Sequence, residues 1–340
     1  MNDIAGVERP PLGIRLLHAL QKEPDLSAMT AEELVTFREA VNRKRASRLA
    51  RVITGLPDRG AVIRWQEVTL SDRGLRVRVY RPSPGRGGGN VDLPLVLHVH
   101  GGGFVGTAAQ SDWVNSHLAA RLPAVVVSVE HRLLAPGTPL PAAVDDGWDV
   151  LRHVLRHAVE WGVDPALTAV FGESNGAMIA ALAAIRARES GLLLRAQVLV
   201  NPALDLTETA FDYASMAQHA NSPTLTVAQM RLYQRLAVPP GMDARAVSPL
   251  HADDLNGLAP ALVVVPTLDP LADHGRRYAA RLRESGTPAR LTEHPRATHG
   301  FVSMPGAVPR AKAARAEIAE FLRERLAGPV ASRSTKAGGR

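Results

Sequence analysis

Hydrophobic positions recur with three rhythms along the chain, and the rhythms mark out its parts. From residue 1 to about 56 the spacing is helical. Leu12, Leu16, Leu17 and Leu20 fall on one face, and Thr30-Ala31-Glu32-Glu33 reads as a capping box ahead of Leu34, Phe37 and Val41. Leu56-Pro57-Asp58-Arg59-Gly60 breaks that pattern, and extended segments follow. They predict strands at Val62–Leu70 and Leu75–Tyr80, joined by the turn Ser71-Asp72-Arg73-Gly74. Pro82–Asn90, with four glycines and two prolines, is a surface loop.

From Leu93 short apolar runs alternate with helical stretches. Strands are predicted at Leu95–Val99, Ala124–Val129, Thr168–Phe171, Ala196–Val200, Ala261–Val265 and Ala289–Glu293. Between them lie helices at Asp112–Arg121, at Pro141–Val159 (opened by Asp145 and Asp146), at Ala177–Arg188 and at Asp273–Glu284. A last helix carries Ala314, Ile318, Phe321, Leu322 and Leu326 on one face and stops at Gly328-Pro329. Near-continuous Val/Leu/Ala strands alternating with helices indicate an α/β fold, its mostly parallel sheet flanked by helices on both faces. Asp205–Ser248 interrupts the alternation, and its Tyr, Met, Leu and Gln residues predict short inserted helices.

Composition narrows the function. At 340 residues the chain forms one large domain, or a core with a smaller appendage. No run approaches the roughly 18 apolar residues of a membrane span, so no stable membrane insertion is expected. Met1–Gln21 lacks a basic region followed by an apolar one, so no secretory signal is read, and a cytoplasmic location is expected by elimination. The absence of cysteine removes disulfides, thiolate metal sites and a Cys nucleophile. The net charge of +7 is concentrated in two places. Arg38, Arg43, Lys44, Arg45, Arg48 and Arg51 against Glu39 give one segment +5, and Arg333, Lys336 and Arg340 give the tail +3, leaving the rest near neutral. No recognition motif accompanies the charge, so a solvated helix face and a loose tail are expected, with no nucleic-acid partner.

The chemistry gathers around Gly172-Glu173-Ser174-Asn175-Gly176, which lies between a predicted strand and a predicted helix and fits the G-x-S-x-G nucleophile elbow. A serine on so sharp a turn points its hydroxyl away from the sheet, and the flanking glycines keep side chains off the neighbouring backbone. Upstream, His100-Gly101-Gly102-Gly103-Phe104 follows a strand directly, where its N–H groups can face a reacting centre. Gly102 and Gly103, with the N–H of Asn175, are the expected oxyanion donors. The hydroxyl needs a base, and His299 in Ala297-Thr298-His299-Gly300-Phe301 lies between the last predicted strand and the last helix. Asp269, 95 residues after Ser174 and 30 before His299, supplies the orienting acid in the Ser…Asp…His order of this motif. Asp273 competes with it but is read as the cap of the following helix.

The other histidines have blander readings. His98 and His100 alternate along one strand and support the loop. His153 and His157 share a helix face at a spacing open to zinc, but no third ligand is evident and no metal is expected. His117, His131, His219, His251, His274 and His294 have no distinctive setting.

Together these residues resemble the hormone-sensitive-lipase-like family of α/β-hydrolases, the carboxylesterases with an HGGG motif. The likeness runs from about residue 76 to 325 and includes HGGGF, GESNG, Ser248-Pro249-Leu250, Asp269-Pro270-Leu271-Ala272-Asp273 and His299-Gly300-Phe301. It implies a core of 57–204 and 249–328, and a helical cap built from 1–56 and the insertion 205–248. Residues 329–340 are expected to be a disordered basic tail. It further implies a serine carboxylester hydrolase acting on short-to-medium acyl esters through an acyl-enzyme, with catalytic residues Ser174, Asp269 and His299 and no cofactor. Phe104, Tyr213 and Met216 are candidates for the acyl pocket, and a homodimer is compatible. Two departures stand out. The usual GDSAGG is replaced at Glu173, Asn175 and Ala177, so Asn175 can narrow or polarise the pocket. The usual YRLAPE becomes His131-Arg132-Leu133-Leu134-Ala135-Pro136-Gly137, which alters a supporting loop. A non-hydrolytic binding protein on the same fold, or a lactonase, amidase or acyltransferase, is the alternative reading.

Overall fold

Successive residues of a strand face opposite sides of its sheet, so a strand apolar at every position must be covered on both. The structure, a computed structural model, describes residues 8–20, 29–85, 92–103, 105–135 and 137–327. Phe104, the glycine-rich 86–90, the Gly328-Pro329 stop and the tail 329–340 lie outside the described residues. Helices α1 (Leu12–Leu20), α2 (Ala31–Arg45) and α3 (Arg51–Thr54) precede the hairpin β1 (Ala61–Thr69) and β2 (Gly74–Pro82). The alternation then runs β3 (Leu93–Val99), α4 (Asp112–Arg121), β4 (Val125–Val129), α5 (Leu140–Arg156), α6 (Ala158–Trp161), β5 (Val163–Glu173), α7 (Asn175–Glu189) and β6 (Ala196–Val200). The interruption holds α8 (Ala214–Gln218), the short ladder β7 (Asn221–Ser222) and β8 (Leu225–Thr226), and α9 (Val227–Ala237). Strand β9 (Ala261–Leu268), α10 (Ala272–Glu284), β10 (Ala289–Thr298) and α11 (Arg310–Leu326) follow.

Among the described residues eight strands make one sheet, ordered β1-β2-β4-β3-β5-β6-β9-β10. The edge pair β1–β2 and its junction with β4 are antiparallel, and every later pairing is parallel. Leu95, Leu97, Val99, Val170, Leu199 and Val263 face one way into a core shared with Val150, Met178 and Tyr278 of the helices α5, α7 and α10. Their neighbours Val96, Phe171, Val198, Leu262 and Val264 face the other way, onto Leu118 of α4 and Ile318 and Leu322 of α11. Each such Val or Leu contributes roughly 1.5–3 kcal/mol by leaving water. No helix of the described residues is long and apolar enough to cross a membrane.

The inserted segment packs against the N-terminal one, with Leu34 of α2 and Leu232 of α9 buried in a shared cluster. The side chain of Asn42 on α2 pairs with both backbone groups of Gly106, at 3.2 and 3.0 Å.

Two expectations for the first long helix need correction. The predicted Pro141–Val159 helix breaks at His157, whose backbone (φ −109, ψ 31) leaves the helical region, and resumes as α6. Asp145 and Asp146 do not open α5, which starts at Leu140 with a proline in its first turn. They reach for tertiary partners instead. Asp145 accepts from Arg186 Nη1 at 2.9 Å. Asp146, 0% exposed, accepts from Arg73 Nε at 3.0 Å, the Arg132 backbone N–H at 2.8 Å and the Arg132 guanidinium at 2.8–3.1 Å. A carboxylate so buried is stable only because these donors replace its water. Asp146→Ala leaves two arginines without their shared anion. It is therefore expected to cost about 3–5 kcal/mol of stability, read as a lower urea midpoint at unchanged slope.

Candidate active site

Strand β5 ends at Glu173, α7 begins at Asn175, and Ser174 makes the whole turn between them. Its backbone sits at φ 55, ψ −120, a conformation a residue with a side chain adopts only under strain. Backbone bonds hold it there: Ser174 N–H donates to Val200 O at 2.9 Å, while Ala177 and Ala203 N–H donate to Ser174 O at 3.0 and 3.3 Å. The turn also presses α7 onto the end of β3. A Cβ added at Gly176 would lie 2.2 Å from Val99 O and 2.5 Å from His100 O, so only glycine fits.

The structure brings Ser174, His299 and Asp269 together. His299 Nε2 lies 2.8 Å from Ser174 Oγ, and His299 Nδ1 lies 2.8 Å from Asp269 Oδ2. Asp269 is 0% exposed and its other oxygen accepts the Leu271 N–H at 2.9 Å. A carboxylate only accepts, so the His299 proton resides on Nδ1, and Nε2 offers its lone pair to the serine hydroxyl. His299 arrives there because β10 shifts register against β9 between His294 and Thr298, and because Gly300 (φ 71) turns the chain into a short 3-10 turn anchored by the fully buried Phe301. Asp273 was expected to cap α10, and the structure corrects this: the N-terminus of α10 has no side-chain cap. Asp273 instead accepts the Ser215 N–H at 2.9 Å, at the start of α8, and Arg276 Nη1 at 3.0 Å.

Alongside Ser174 runs the glycine loop. Gly102 has φ 93, and a Cβ there would lie 1.7 Å from Val105 O. A Cβ at Gly103 would lie 3.3 Å from Asn175 Cγ, which places the loop against the first residue of α7. Asn175 is 8% exposed, and its Nδ2 is buried without a partner among the described residues. Tyr213 directs its hydroxyl to Asp205 Oδ2 at 2.5 Å, and its ring lies edge-on to His274 and under the Arg277 guanidinium. Burial and Asp205 push the Tyr213 hydroxyl well up from its ordinary value. Met216 is buried in the core on the α10 side. Phe104 lies outside the described residues.

Sequence reasoning missed two supporting groups. Glu173, 2% exposed, accepts from Ser111 Oγ at 3.1 Å and from Ser303 Oγ at 2.7 Å, with His98 Nε2 at 3.6 Å. It thereby ties the residue before Ser174 to the turn that carries His299. The only signal was its departure from the usual aspartate. His274 is fully buried, and its Nδ1 accepts the N–H groups of Leu204 and Asp205 at 3.1 and 3.2 Å, fixing the chain as it leaves β6. Burial drives His274 from 6.5 down to about 4. His153 and His157 stack at 4.3 Å, and among the described residues no third ligand joins them.

Known proteins resemble this chain closely. A family model described as the alpha/beta hydrolase fold matches residues 96–303. Carboxylesterase NlhH of Mycobacterium tuberculosis is 34% identical over 301 residues, 85% of this chain and 91% of that protein. Esterase LipI of the same species is 36% identical over 230 residues, 65% and 69% of the two chains. Among solved structures, a hyperthermophilic esterase from the archaeon Pyrobaculum calidifontis superposes with a TM-score of 0.80 at 31% identity, covering 94% of this chain and 99% of that one.

Two measurements check the supporting groups. The unfolded chain binds a proton at His274 below about 6.5 and the native chain only below about 4. Native stability therefore falls as pH drops through that window, by on the order of 3 kcal/mol. His274→Gln, which keeps an acceptor, is expected to flatten that part of the dependence in urea titrations between pH 7 and 4.5. Glu173→Ala strands the buried Ser111 hydroxyl and the partly buried Ser303 hydroxyl, and frees the turn bearing His299. It is expected to lower stability by about 2–3 kcal/mol and to reduce kcat.

Proposed function

This chain belongs to the α/β-hydrolase family, and from that premise we propose that Ser174, His299 and Asp269 cleave carboxylic esters through an acyl-enzyme. The protein is a serine carboxylester hydrolase. The observation that carries the assignment of residues is the line from Ser174 Oγ to His299 Nε2 to Asp269 Oδ2, with 2.8 Å at each step.

In this reading Ser174 Oγ attacks the ester carbonyl while His299 Nε2 takes its proton. The carbonyl oxygen becomes an oxyanion, held by the N–H groups of Gly102, Gly103 and Asn175; one such donor is typically worth about 2.7–4 kcal/mol of the barrier. His299 passes the proton to the departing alkoxide, which leaves as the alcohol. A water then gives its proton to His299 and attacks the acyl-enzyme, and Ser174 is restored with release of the acid. Asp269 stays ionised throughout, holding the tautomer and stabilising the transient imidazolium.

Residues 1–56 and 205–248 act in this reading as a cap over the site, and the packing of α2 on α9 and of Asn42 on Gly106 supports it. The substrate is a small ester with a short-to-medium acyl chain. A cytoplasmic location completes the reading, which is compatible with a homodimer.

A series of p-nitrophenyl esters from acetate to palmitate tests it. Turnover is expected to peak at short to medium chains and to vanish in Ser174→Ala. Asp269→Asn is expected to lose roughly 10⁴-fold in kcat by favouring the wrong tautomer. Robust turnover by the Ser174→Ala protein would refute the mechanism.

A further inference from the structure

The carbonyl of His100 lies between two supports. On one side is Gly176 of the elbow, whose added Cβ would stand 2.5 Å from that oxygen. On the other is His131, which is 3% exposed and brings its Nε2 to 3.3 Å. The two imidazoles stack, with ring centroids 4.3 Å apart and planes 20° from parallel. Farther along the same segment, Leu134 N–H donates to Gly103 O at 2.6 Å. The chain after β4 therefore grips the His100–Gly103 run at both ends, by a side chain at the first residue and a backbone bond at the last.

We propose that His131 is a positioning residue for catalysis: by fixing the His100 peptide it sets the direction in which the Gly102 and Gly103 N–H groups point. This rests on the reading of those groups as oxyanion donors. The grip is rigid because its own base is rigid. Arg132, next in the chain, is bound through its N–H and its guanidinium to the fully buried Asp146, and Arg73 shares that carboxylate. His100 is 0% exposed, and its Nδ1 lies 2.9 Å from Gly101 O, so the loop has no slack on the near side either. Gln110 Nε2 adds a donor to Gly101 O at 3.0 Å.

Both ring nitrogens of His131 face carbonyl oxygens, Nδ1 toward Arg132 O at 2.9 Å and Nε2 toward His100 O at 3.3 Å. Burial and the neighbouring His98 keep His131 below its ordinary value, against the pull of the Asp146 carboxylate. The ring is accordingly neutral near pH 7 and carries one N–H. It donates to one carbonyl, and its other nitrogen, an acceptor, meets the second oxygen without a hydrogen bond. The steric and stacking contact with His100 persists in either tautomer, and the Nε2–H tautomer adds a bond to the His100 oxygen.

The test compares His131→Phe, which keeps a flat ring but no donor, with His131→Gln, which keeps a donor but no ring. Each protein is titrated with a fluorophosphonate that labels Ser174, so that kcat is expressed per reactive serine. Affinity for an aryl trifluoromethyl ketone, whose hemiketal oxygen mimics the oxyanion, is measured alongside. His131→Phe is expected to lose about tenfold or more in kcat per site with KM within a factor of two, a fraction of what one lost oxyanion donor typically costs. Ketone affinity should weaken in proportion to kcat/KM, and His131→Gln should recover part of the loss.

Unchanged kcat per titrated site in His131→Phe would overturn the proposal. So would a loss explained wholly by fewer titratable serines, since that is what simple misfolding produces. If His131→Phe does not fold, a His131→Gln protein with unaltered kcat per site and ketone affinity decides against it. An unmodified protein that neither labels at Ser174 nor turns over esters would remove the underlying reading as well, a result distinct from an active enzyme indifferent to residue 131.

Discussion

Everything at the site depends on one strained residue. Ser174 occupies a backbone conformation that is unfavourable by about 1–3 kcal/mol, and it stays there because the sheet and the helix leave no alternative. Its N–H is committed to β6, its C=O to the start of α7 and to Ala203, and the helix behind it is pressed onto the carbonyl end of β3. Relaxing the turn would break several hydrogen bonds and separate two packed elements. The strain is thus supported by the whole βαβ unit, and the hydroxyl projects to the one place where His299 can meet it.

The buried carboxylates nearest the site are hydrogen-bonded. Two fully buried carboxylates organise the loops around the site, and each has both oxygens occupied, at least one of them by a partner distant in sequence. Asp269 joins the end of β9 to the turn after β10 through His299. Asp146 joins the β1–β2 turn to the segment after β4 through Arg73 and Arg132. Glu173 does the same between Ser111, just ahead of α4, and the turn carrying Ser303. In each case the free energy of desolvating the anion is offset only when the distant loops are in place, so these groups specify a loop arrangement more than they add stability.

Much of this was legible in the chain. The apolar runs at β3 to β6 and the elbow between a strand and a helix follow from local spacing, and the order Ser174, Asp269, His299 matched the geometry. What spacing could not show was the use of polar residues at long range. Asp146 read as a helix-opening acid because helix starts favour acids, yet its burial is decided by two arginines 73 and 14 residues away. Asp273 read as a cap for the same reason and serves α8 instead. His131 and His274 had no periodic signature, since what gives each its role is a carbonyl or a pair of N–H groups contributed by another loop. A register shift such as the one in β10, which delivers His299, leaves no mark in a hydrophobic pattern.

The register shift near the end of β10 has a further consequence for how the molecule comes into being. His299 sits 125 residues after Ser174, in the turn just past β10, the last strand of the described sheet, and ahead of a helix, α11, that must dock before that strand is covered. As the chain leaves the ribosome, the elbow and the glycine loop can pair within the first strands, but the imidazole that comes to lie 2.8 Å from the Ser174 hydroxyl emerges afterwards. In the mechanism proposed above, a nascent or shortened polypeptide therefore holds an inert hydroxyl. Competence for acyl transfer arrives only with the closing edge of the sheet, making hydrolytic power itself a report that synthesis and folding have both reached that edge.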